Sequence, residues 1–331
     1  LYFTALRWLR SQQWTDEKHY CHVLEKPKFA DNPHSLDARR LVHSQNISIH
    51  RRCLDSSAYA RRIMEECRSV VRFSGTVSPL SLYQRLHGQA PTEQGVAEQT
   101  SMALRARAPF RSDQVKVLTV TDIDTLYQRR LQSLPQLCGL IADLQRARQG
   151  RYLVALPSYE YLDHLSRSPD KPANFIAQSP AMDEDEQLAL LKQFQQSPAA
   201  VLGIVMGGVF AESVDLGTST VAGVVVVSLG LPPTNLIRSL SVDYFNGAHG
   251  VGWGEQIAYL QPAMTRVVQA AGRLIRGPRD KGVICLVDPR FADPTIAKFF
   301  PEHWQPEKMS ANRVESCLKA FWSNDLSQPE D

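Results

Sequence analysis

One stretch in the last quarter of the chain combines an amide and two guanidinium side chains at helical spacing. Gln269, Arg273 and Arg276 stand at positions i, i+4 and i+7, so a helix would place them on one face. Two fixed guanidinium groups suit a polyphosphate and could stabilise the charge that develops in phosphoryl transfer. Gly272 would let another group approach the backbone closely. The alternative is a solvated helix face with surface arginines, and spacing alone does not separate the two.

Small residues follow two apolar stretches that are typical of buried strands. Ser158 comes after residues 152–156, and Gly207 and Gly208 come after residues 201–206. Small residues at strand ends expose backbone N–H groups to an anion. Each also has a plainer interpretation, because Ser158 would serve as the N-cap of a helix and the two glycines would form an ordinary turn.

From residue 112 onward, apolar strands alternate with amphipathic helices. The predicted strands are 115–120, 152–156, 174–178, 201–206, 221–229 and 282–287. The predicted helices are 122–148 (kinked at Pro135), 159–165, 183–196 (opened by an acidic cap), 257–276, 291–299 and 310–322. This alternation indicates an α/β fold with a parallel sheet and helices on both faces.

The first hundred residues give a weaker pattern. Residues 1–44 are predicted to form a peripheral helix and a loop. Residues 45–100 are predicted to hold strands at 46–50 and 69–73, helices at 55–67 and 80–87, and a polar linker from 89. Residues 101–331 then form one complete domain. Because two strands are too few for a domain of usual size, and the chain starts at Leu1, we expect it to belong to a longer protein.

The composition is that of an ordinary globular protein. The 331 residues are 43% hydrophobic, with a formal net charge of +3 that neither demands nor excludes a nucleic acid. No apolar run reaches the roughly 20 residues of a membrane span, so we expect no membrane partner. Six scattered cysteines and no signal peptide indicate free thiols and an intracellular protein. The histidines near Cys21 match no zinc spacing, which favours exposed polar residues over a metal site.

Five segments, in order, resemble the motifs of one enzyme family. The stretch 269–282 followed by Asp288-Pro-Arg-Phe291 is similar to motif VI of superfamily 2 helicases of the XPD/DinG (Rad3-related) branch, Q-x-x-G-R-x-I-R and then D-x-R-F. Residues 73–79, 152–159, 207–215 and 229–233 resemble motif III, motif IV, motif V and the loop after motif V. Ser213 departs from the usual glycine of motif V. The resemblance covers roughly residues 45–300 and implies a RecA-like second helicase domain, preceded by the tail of the first.

The resemblance also implies roles for individual residues. Arg273 and Arg276 would reach the ATP γ-phosphate as arginine fingers. Four residues would border the nucleotide: Gln269, Gly272, Glu212 and Asp215. Four others would serve the nucleic acid or couple to it, with Thr76 of motif III linking the two domains: Ser158, Gly207, Gly208 and Thr76.

Two further groups of side chains could meet nucleic acid. Tyr244, Phe245 and Trp253 lie in a glycine-rich stretch, 243–254, that is predicted to be a loop. They could stack bases, or they could equally anchor the loop to a core. A basic cluster near the domain entry could meet phosphates, although a solvated loop is the safer interpretation: Arg105, Arg107 and Arg111.

Several helicase elements are absent from the sequence. There is no G-x-x-x-x-G-K-[ST] motif and no Asp-Glu-Ala-His box, so the phosphate cradle and most Mg²⁺ ligands are missing. Four cysteines spaced for an iron–sulfur cluster are also missing from this chain, although the resemblance implies that the full-length protein could carry one. The resemblance implies the C-terminal portion of a monomeric DNA helicase that moves 5′ to 3′, and the missing motifs lead us to expect no activity from the isolated chain. Its partners would be single-stranded DNA and an N-terminal helicase domain. The alternatives are a non-catalytic docking or nucleic-acid-binding module with a RecA-like fold and, less favoured, an unrelated phosphate-binding enzyme such as a nucleotide transferase.

Overall fold

Two segments near the N-terminus pair as a small antiparallel sheet. The computed structural model describes residues 18–25, 48–88, 103–104, 106, 111, 113–212, 221–275, 277 and 280–323. Strand β1 (Tyr20–Glu25) pairs with β2 (Ser48–Cys53), with Tyr20 opposite Cys53. Helix α1 (Ser57–Glu65) and helix α2 (Leu80–Leu86) follow, and α2 buries Leu82. Strand β1 was not predicted from the sequence, which assigned residues 1–44 to a peripheral helix and a loop.

The predicted strand 69–73 does not form. These residues have no regular structure, and Val71 and Phe73 are 83% and 92% exposed. A strand needs a hydrogen-bonded neighbour, and within the described residues none of the paired strands lies beside this segment. The predicted N-terminal helix and the predicted linker from 89 lie outside the described residues.

Seven strands form one parallel sheet in the order β5-β6-β4-β7-β8-β3-β9. The strands of this sheet are β3 (Val115–Val120), β4 (Tyr152–Leu156), β5 (Phe175–Ala177), β6 (Val201–Val205), β7 (Gly223–Val227), β8 (Gly282–Val287) and β9 (Glu307–Met309). Strands β4, β6, β7 and β8 are buried along their whole length. This is the behaviour of a parallel sheet covered on both faces, and the predicted α/β fold is confirmed.

Helices connect the strands. They are α3 (Leu134–Ala147), α4 (Tyr159–Arg167), α5 (Glu184–Gln196), α6 (Val209–Glu212), α7 (Leu236–His249), α8 (Trp253–Glu255), a π-helical turn (Gln256–Leu260), α9 (Gln261–Ala271), α10 (Pro294–Ala297) and α11 (Val314–Ser323). The described residues also form two 3-10 turns, Pro289–Ala292 and Ala311–Arg313. Helix α5 opens with a capping box, in which Asp183 Oδ1 accepts from Glu186 N and Glu186 Oε2 accepts from Asp183 N. The predicted acidic helix start is therefore confirmed.

The predictions for residues 122–148, 243–254 and 291–299 were wrong in extent or type. Helix α3 begins at Leu134, because Pro135 lacks an N–H donor and belongs to a first turn, so there is no kinked helix from 122. Residues 243–254 are mostly helical instead of forming a loop, since Asn235 caps α7 by accepting from Arg238 N. The predicted helix 291–299 is instead a 3-10 turn and the short helix α10, and β9 between 300 and 310 was not predicted.

The chain divides into two compact units. The first comprises residues 1–103 and 234–254, and the second comprises residues 104–233 and 255–331. The sequence pattern placed 101–331 in one domain, whereas the structure groups 234–254, which contains α7, with the N-terminal residues. Within the described part of the chain, no helix has the length and apolar character needed to cross a bilayer.

Candidate functional site

The candidate site lies at the carboxyl edge of the parallel sheet. Leu156 and Val205, the last residues of β4 and β6, are register partners, and Val287 ends β8 opposite both Val120 and Val227. The strands therefore end nearly level, and the residues that follow them share one edge. In open parallel sheets this edge is where ligands bind.

Ser158 follows β4 and caps helix α4. Its Oγ accepts a hydrogen bond from Tyr161 N at 3.3 Å, which is the ordinary N-cap interaction. The next residue, Tyr159, is tied to the end of β6 through Gln178: Gln178 Nε2 donates to Tyr159 Oη at 2.8 Å, and Val205 N donates to Gln178 Oε1 at 3.2 Å. Gln178 is 6% exposed. This buried amide joins the motif IV segment to the motif V segment, and sequence analysis did not single it out.

Gly207 and Gly208 form a tight turn after β6. Gly207 has a φ of +75°, a conformation that favours glycine. The N–H group of Gly208 donates to Val205 O at 3.1 Å, so this amide is already engaged within the turn. A Cβ atom on Gly208 would lie 3.0 Å from the same carbonyl oxygen, which leaves little room for a side chain.

Arg273 follows the C-terminal end of α9. The helix ends at Ala271, with Gly272 as its C-cap, so Arg273 lies in the turn beyond the helix. The prediction of one continuous helix to residue 276 was therefore wrong, because consecutive i to i−3 bonds tighten the chain here: Arg273 N to Ala270 O and Leu274 N to Ala271 O. Gln269 occupies the last turn of α9 and is half-buried, and Gly272 is exposed.

A hydrogen bond connects Arg273 to the motif V segment. Its Nε donates to the carbonyl oxygen of Ala211 in α6 at 2.9 Å, in a partly buried position. Helix α6 starts directly after Gly207 and Gly208. The motif V and motif VI segments, 60 residues apart in the chain, are thus in contact on one side of the sheet.

Arg266, an arginine within α9, lies over the glycine turn. A Cβ atom at Gly207 would be 3.0 Å from Arg266 Nε and 3.2 Å from Arg266 Cδ, so this side chain packs against the bare backbone. Sequence analysis did not select Arg266. The signal was present, because residue 266 precedes Gln269 and Arg273 by three and seven positions, the spacing of a shared helix face.

A buried ion pair stands at the ends of β7 and β8. Asp288 is 1% exposed, and its oxygens accept from Arg290 Nε at 2.8 Å and Arg290 Nη2 at 2.7 Å. Thr125 Oγ1 also donates to Asp288, and Arg290 Nη2 donates to Ser228 Oγ at 3.2 Å. Hydrogen bonding to the Asp288 carboxylate raises the pKa of the Arg290 guanidinium, which therefore stays charged. Ser228 has a φ of +69°, so this cluster holds a strained residue at the end of β7.

Four predicted site residues are placed elsewhere or are not described. Arg276 and Asp215 lie outside the described residues, as does Ser213, and the side chain of Glu212 is not described either. Thr76 belongs to the first unit, where its N–H donates to Ser74 Oγ at 3.2 Å. Within the described parts of the chain, no group of three or more His, Cys, Asp or Glu side chains could hold a metal ion.

The predicted aromatic residues anchor helix α7 within the first unit. Phe245 is buried, and Tyr244 Oη donates to Asp55 Oδ2 at 3.2 Å. The guanidinium of Arg85 lies 4.6 Å from the ring centroid of Trp253 and contacts His249 Nδ1 at 3.2 Å. Of the two interpretations of these rings, the structure therefore supports anchoring of the segment to a core. Of the predicted basic cluster, Arg105 and Arg107 lie outside the described residues, and Arg111 pairs with Asp113 at 3.0 Å.

Comparisons with known proteins show which family the chain resembles. A family described as "Helicase C-terminal domain" matches residues 141–307, about half of the chain. A probable ATP-dependent helicase of Methanocaldococcus jannaschii is 29% identical over 241 residues, which cover 68% of this chain and 35% of the relative. The general transcription and DNA repair factor IIH helicase subunit XPD of Dictyostelium discoideum is 24% identical over 262 residues, 72% of this chain and 32% of the relative.

Solved structures extend the comparison to the fold. An apo XPD structure matches with a TM-score of 0.57 at 19% identity, covering 80% of this chain and 53% of that chain. This likeness confirms the predicted RecA-like fold. The chain spans about a third of the length of the curated relatives that it matches.

Proposed function

Because this chain belongs to the helicase C-terminal domain family, and is the C-terminal region of a superfamily 2 helicase of XPD/DinG type, we propose that it is the second motor domain of an ATP-dependent DNA helicase. It supplies arginine fingers, Arg273 and Arg276, to an ATP site that another helicase domain completes. It acts inside the cell as part of a monomeric enzyme that moves 5′ to 3′ along single-stranded DNA and unwinds duplexes.

The hydrogen bond from Arg273 Nε to Ala211 O carries this proposal. It holds the guanidinium beside the segment that begins with Gly207 and Gly208 and continues towards Asp215. A residue that would sense nucleotide is thereby tied to the segment whose first residues, Gly207 and Gly208, would touch DNA. Such a link is what a motor needs, because hydrolysis at one site must change binding at the other.

The binding of ATP and Mg²⁺ would need more groups than this domain supplies, so the domain would hold only part of the nucleotide site. Bound ATP supplies the γ-phosphoryl group, and Mg²⁺ offsets its negative charge. Arg273, Arg276 and Gln269 would border these phosphates, with Gly272 leaving room beside them, and Glu212 and Asp215 would complete the polar edge. The sequence has no phosphate loop, so most Mg²⁺ ligands would lie in the other helicase domain of the enzyme, as would any iron–sulfur cluster.

Single-stranded DNA would follow the carboxyl edge of the sheet. Ser158 and the Gly207–Gly208 turn follow adjacent strands, β4 and β6, and the Gln178 bridge keeps the two strand ends together. Thr76 would couple this domain to the N-terminal helicase domain, which is the proposed protein partner.

An Arg273→Ala substitution tests the proposal in an enzyme that contains this chain together with a phosphate-loop domain. We expect DNA-stimulated ATP hydrolysis to fall about a thousandfold or more, since an arginine finger contributes on the order of 10³–10⁵ to the rate. Binding of single-stranded DNA should stay within a few-fold of the parent. A steady-state ATPase assay and fluorescence anisotropy with labelled oligo(dT) measure the two effects.

The chain by itself is the matching control. It should show no ATP turnover, because it lacks the G-x-x-x-x-G-K-[ST] motif. A docking module with the same fold would keep ATP turnover in the Arg273→Ala enzyme, and that outcome would refute the motor assignment.

A further inference from the structure

Arg266 lies against the backbone at the end of β6. A Cβ atom on Gly207 would stand 3.0 Å from Arg266 Nε, 3.2 Å from Cδ and 3.4 Å from Cζ, so the guanidinium covers the glycine itself. Gly207 therefore has two reasons to lack a side chain, its φ of +75° and this close approach. The position of the guanidinium is set by the helix that carries it, since α9 packs on both α6 and β7.

Arg266 is half-buried but has no hydrogen-bond or ion-pair partner in the part of the chain that the structure describes. Two other arginines of this sheet edge have protein partners: Arg273 Nε donates to Ala211 O, and Arg290 is paired with Asp288. A partly buried guanidinium is normally compensated by an anion or by several acceptors. The guanidinium N–H groups of Arg266 are thus available to donate hydrogen bonds to a ligand.

The neighbouring backbone amide is not available for the same task. The N–H group of Gly208 donates to Val205 O within the turn. An anion that approaches the end of β6 would therefore meet the Arg266 guanidinium in place of this amide. A guanidinium binds two oxygens of a phosphate through parallel N–H donors, and it keeps its charge at all physiological pH values.

We propose that Arg266 binds a phosphate group at the end of β6, over Gly207. This inference rests on the proposed function, because it names the side chain that makes one phosphate contact of the motor domain. The phosphate belongs either to the backbone of single-stranded DNA or to a nucleotide. Both sources present the same chemistry, and the experiment below has one arm for each.

An Arg266→Ala substitution in the 331-residue chain tests the DNA source. Labelled oligo(dT) is titrated by fluorescence anisotropy at several salt concentrations. Each phosphate contact contributes about 0.7 to the slope of log K against log salt for a single strand, so we expect the slope to fall by roughly that amount. The affinity at low salt should fall about tenfold.

Two control variants separate phosphate binding from general effects of charge or folding. Arg167→Ala removes an exposed arginine at the opposite end of α4, where it pairs with Asp163, and should leave the slope unchanged. Arg266→Lys keeps the charge and loses the two-pronged geometry, so it should retain the slope and lower the affinity. Thermal unfolding of each variant checks that the fold is intact.

The nucleotide arm uses N-methylanthraniloyl-ATP as the probe, with a phosphate-loop domain present. If Arg266→Ala weakens this probe and leaves the DNA slope unchanged, the phosphate is that of the nucleotide, and the inference holds. If the parent protein shows salt-dependent DNA binding and Arg266→Ala alters neither ligand, the inference is overturned and the proposed function survives. If the parent protein binds no DNA, the proposed function itself fails.

Discussion

At the scale of single residues, three arginines near the sheet edge have three different environments. Arg290 is fixed by a buried carboxylate, Arg273 by a backbone carbonyl, and Arg266 lies against a bare glycine. A guanidinium that is neutralised by a carboxylate of the protein stabilises the structure, whereas one with unused N–H donors can bind a ligand. Arg290 is accordingly the structural member of the three.

Removing one half of the Asp288–Arg290 pair should destabilise the second unit. Arg290→Ala leaves the Asp288 carboxylate buried without its cation, so the free energy of unfolding should fall by about 3–5 kcal/mol. Urea unfolding followed by circular dichroism measures the change. The Asp288→Ala and Arg290→Ala double variant should lose less than the sum of the single losses, and strict additivity would show that the two side chains are not coupled.

The sequence was informative about which residues matter and less so about their partners. Gln269, Arg273 and the Gly207–Gly208 turn were selected from type and spacing, and the structure links Arg273 and the turn through α6. Gln178 was not selected because a single amide at a strand end has no distinctive pattern, and Arg266 was not selected although it has the helix-face spacing of Gln269 and Arg273. Their roles arise from residues 27 and 59 positions away, which only the folded chain brings together.

At the scale of elements, the strands were predicted better than the helices. Long apolar runs such as 201–206 and 282–287 identify buried strands because little else can bury every residue. The limits of a helix depend on single residues at its ends. Pro135 lies in the first turn of α3, and Gly272 caps the C-terminal end of α9. Asn235 caps the start of α7, which continues into a stretch whose glycines had favoured a loop. Strands β1 and β9 are short and partly polar, so only their pairing reveals them.

Helix α7 is held in the first unit by Arg85 of α2. The guanidinium contacts both Trp253 and His249, and two causes, burial first and Arg85 second, hold the pKa of His249 below its usual value. An Arg85→Ala substitution should therefore raise the pKa of His249, because it removes the positive charge of Arg85, which opposes protonation of the imidazole ring. It should also speed hydrogen exchange of α7 several-fold, since a cation–π contact contributes about 0.5–1 kcal/mol at a partly exposed site.

A nuclear magnetic resonance titration of the His249 ring measures this pKa. Arg68→Ala, which removes an exposed arginine, is the matched control and should leave it unchanged. An unaltered His249 pKa in Arg85→Ala would mean that the contact is not maintained in solution.

At the scale of the whole molecule, cysteines lie in both units, so their reactivity measures how well each unit is closed to solvent. All six are free thiols, two of them exposed, Cys53 and Cys67, and two buried in the core, Cys138 and Cys285. Burial raises the pKa of Cys285 to about 12, so this thiol stays protonated and unreactive at pH 8. Maleimide labelling followed by mass spectrometry should modify Cys53 and Cys67 within minutes.

Labelling of Cys138 and Cys285 should require denaturant. The half-buried Cys21 and Cys317 should react at intermediate rates and provide the internal comparison. Rapid labelling of Cys285 in the native protein would contradict a closed core beneath the candidate site.

The position of β3 has a consequence for how the protein is made. This strand comes first among the seven of the parallel sheet, yet both of its neighbours, β8 and β9, come from the far end of the chain, with Val120 opposite Val287. At roughly 5–20 residues per second, a ribosome needs on the order of ten seconds or more to deliver the partner. During that interval the nascent chain carries an unpaired valine-rich strand, which gives chaperones a defined segment and a defined time in which to act.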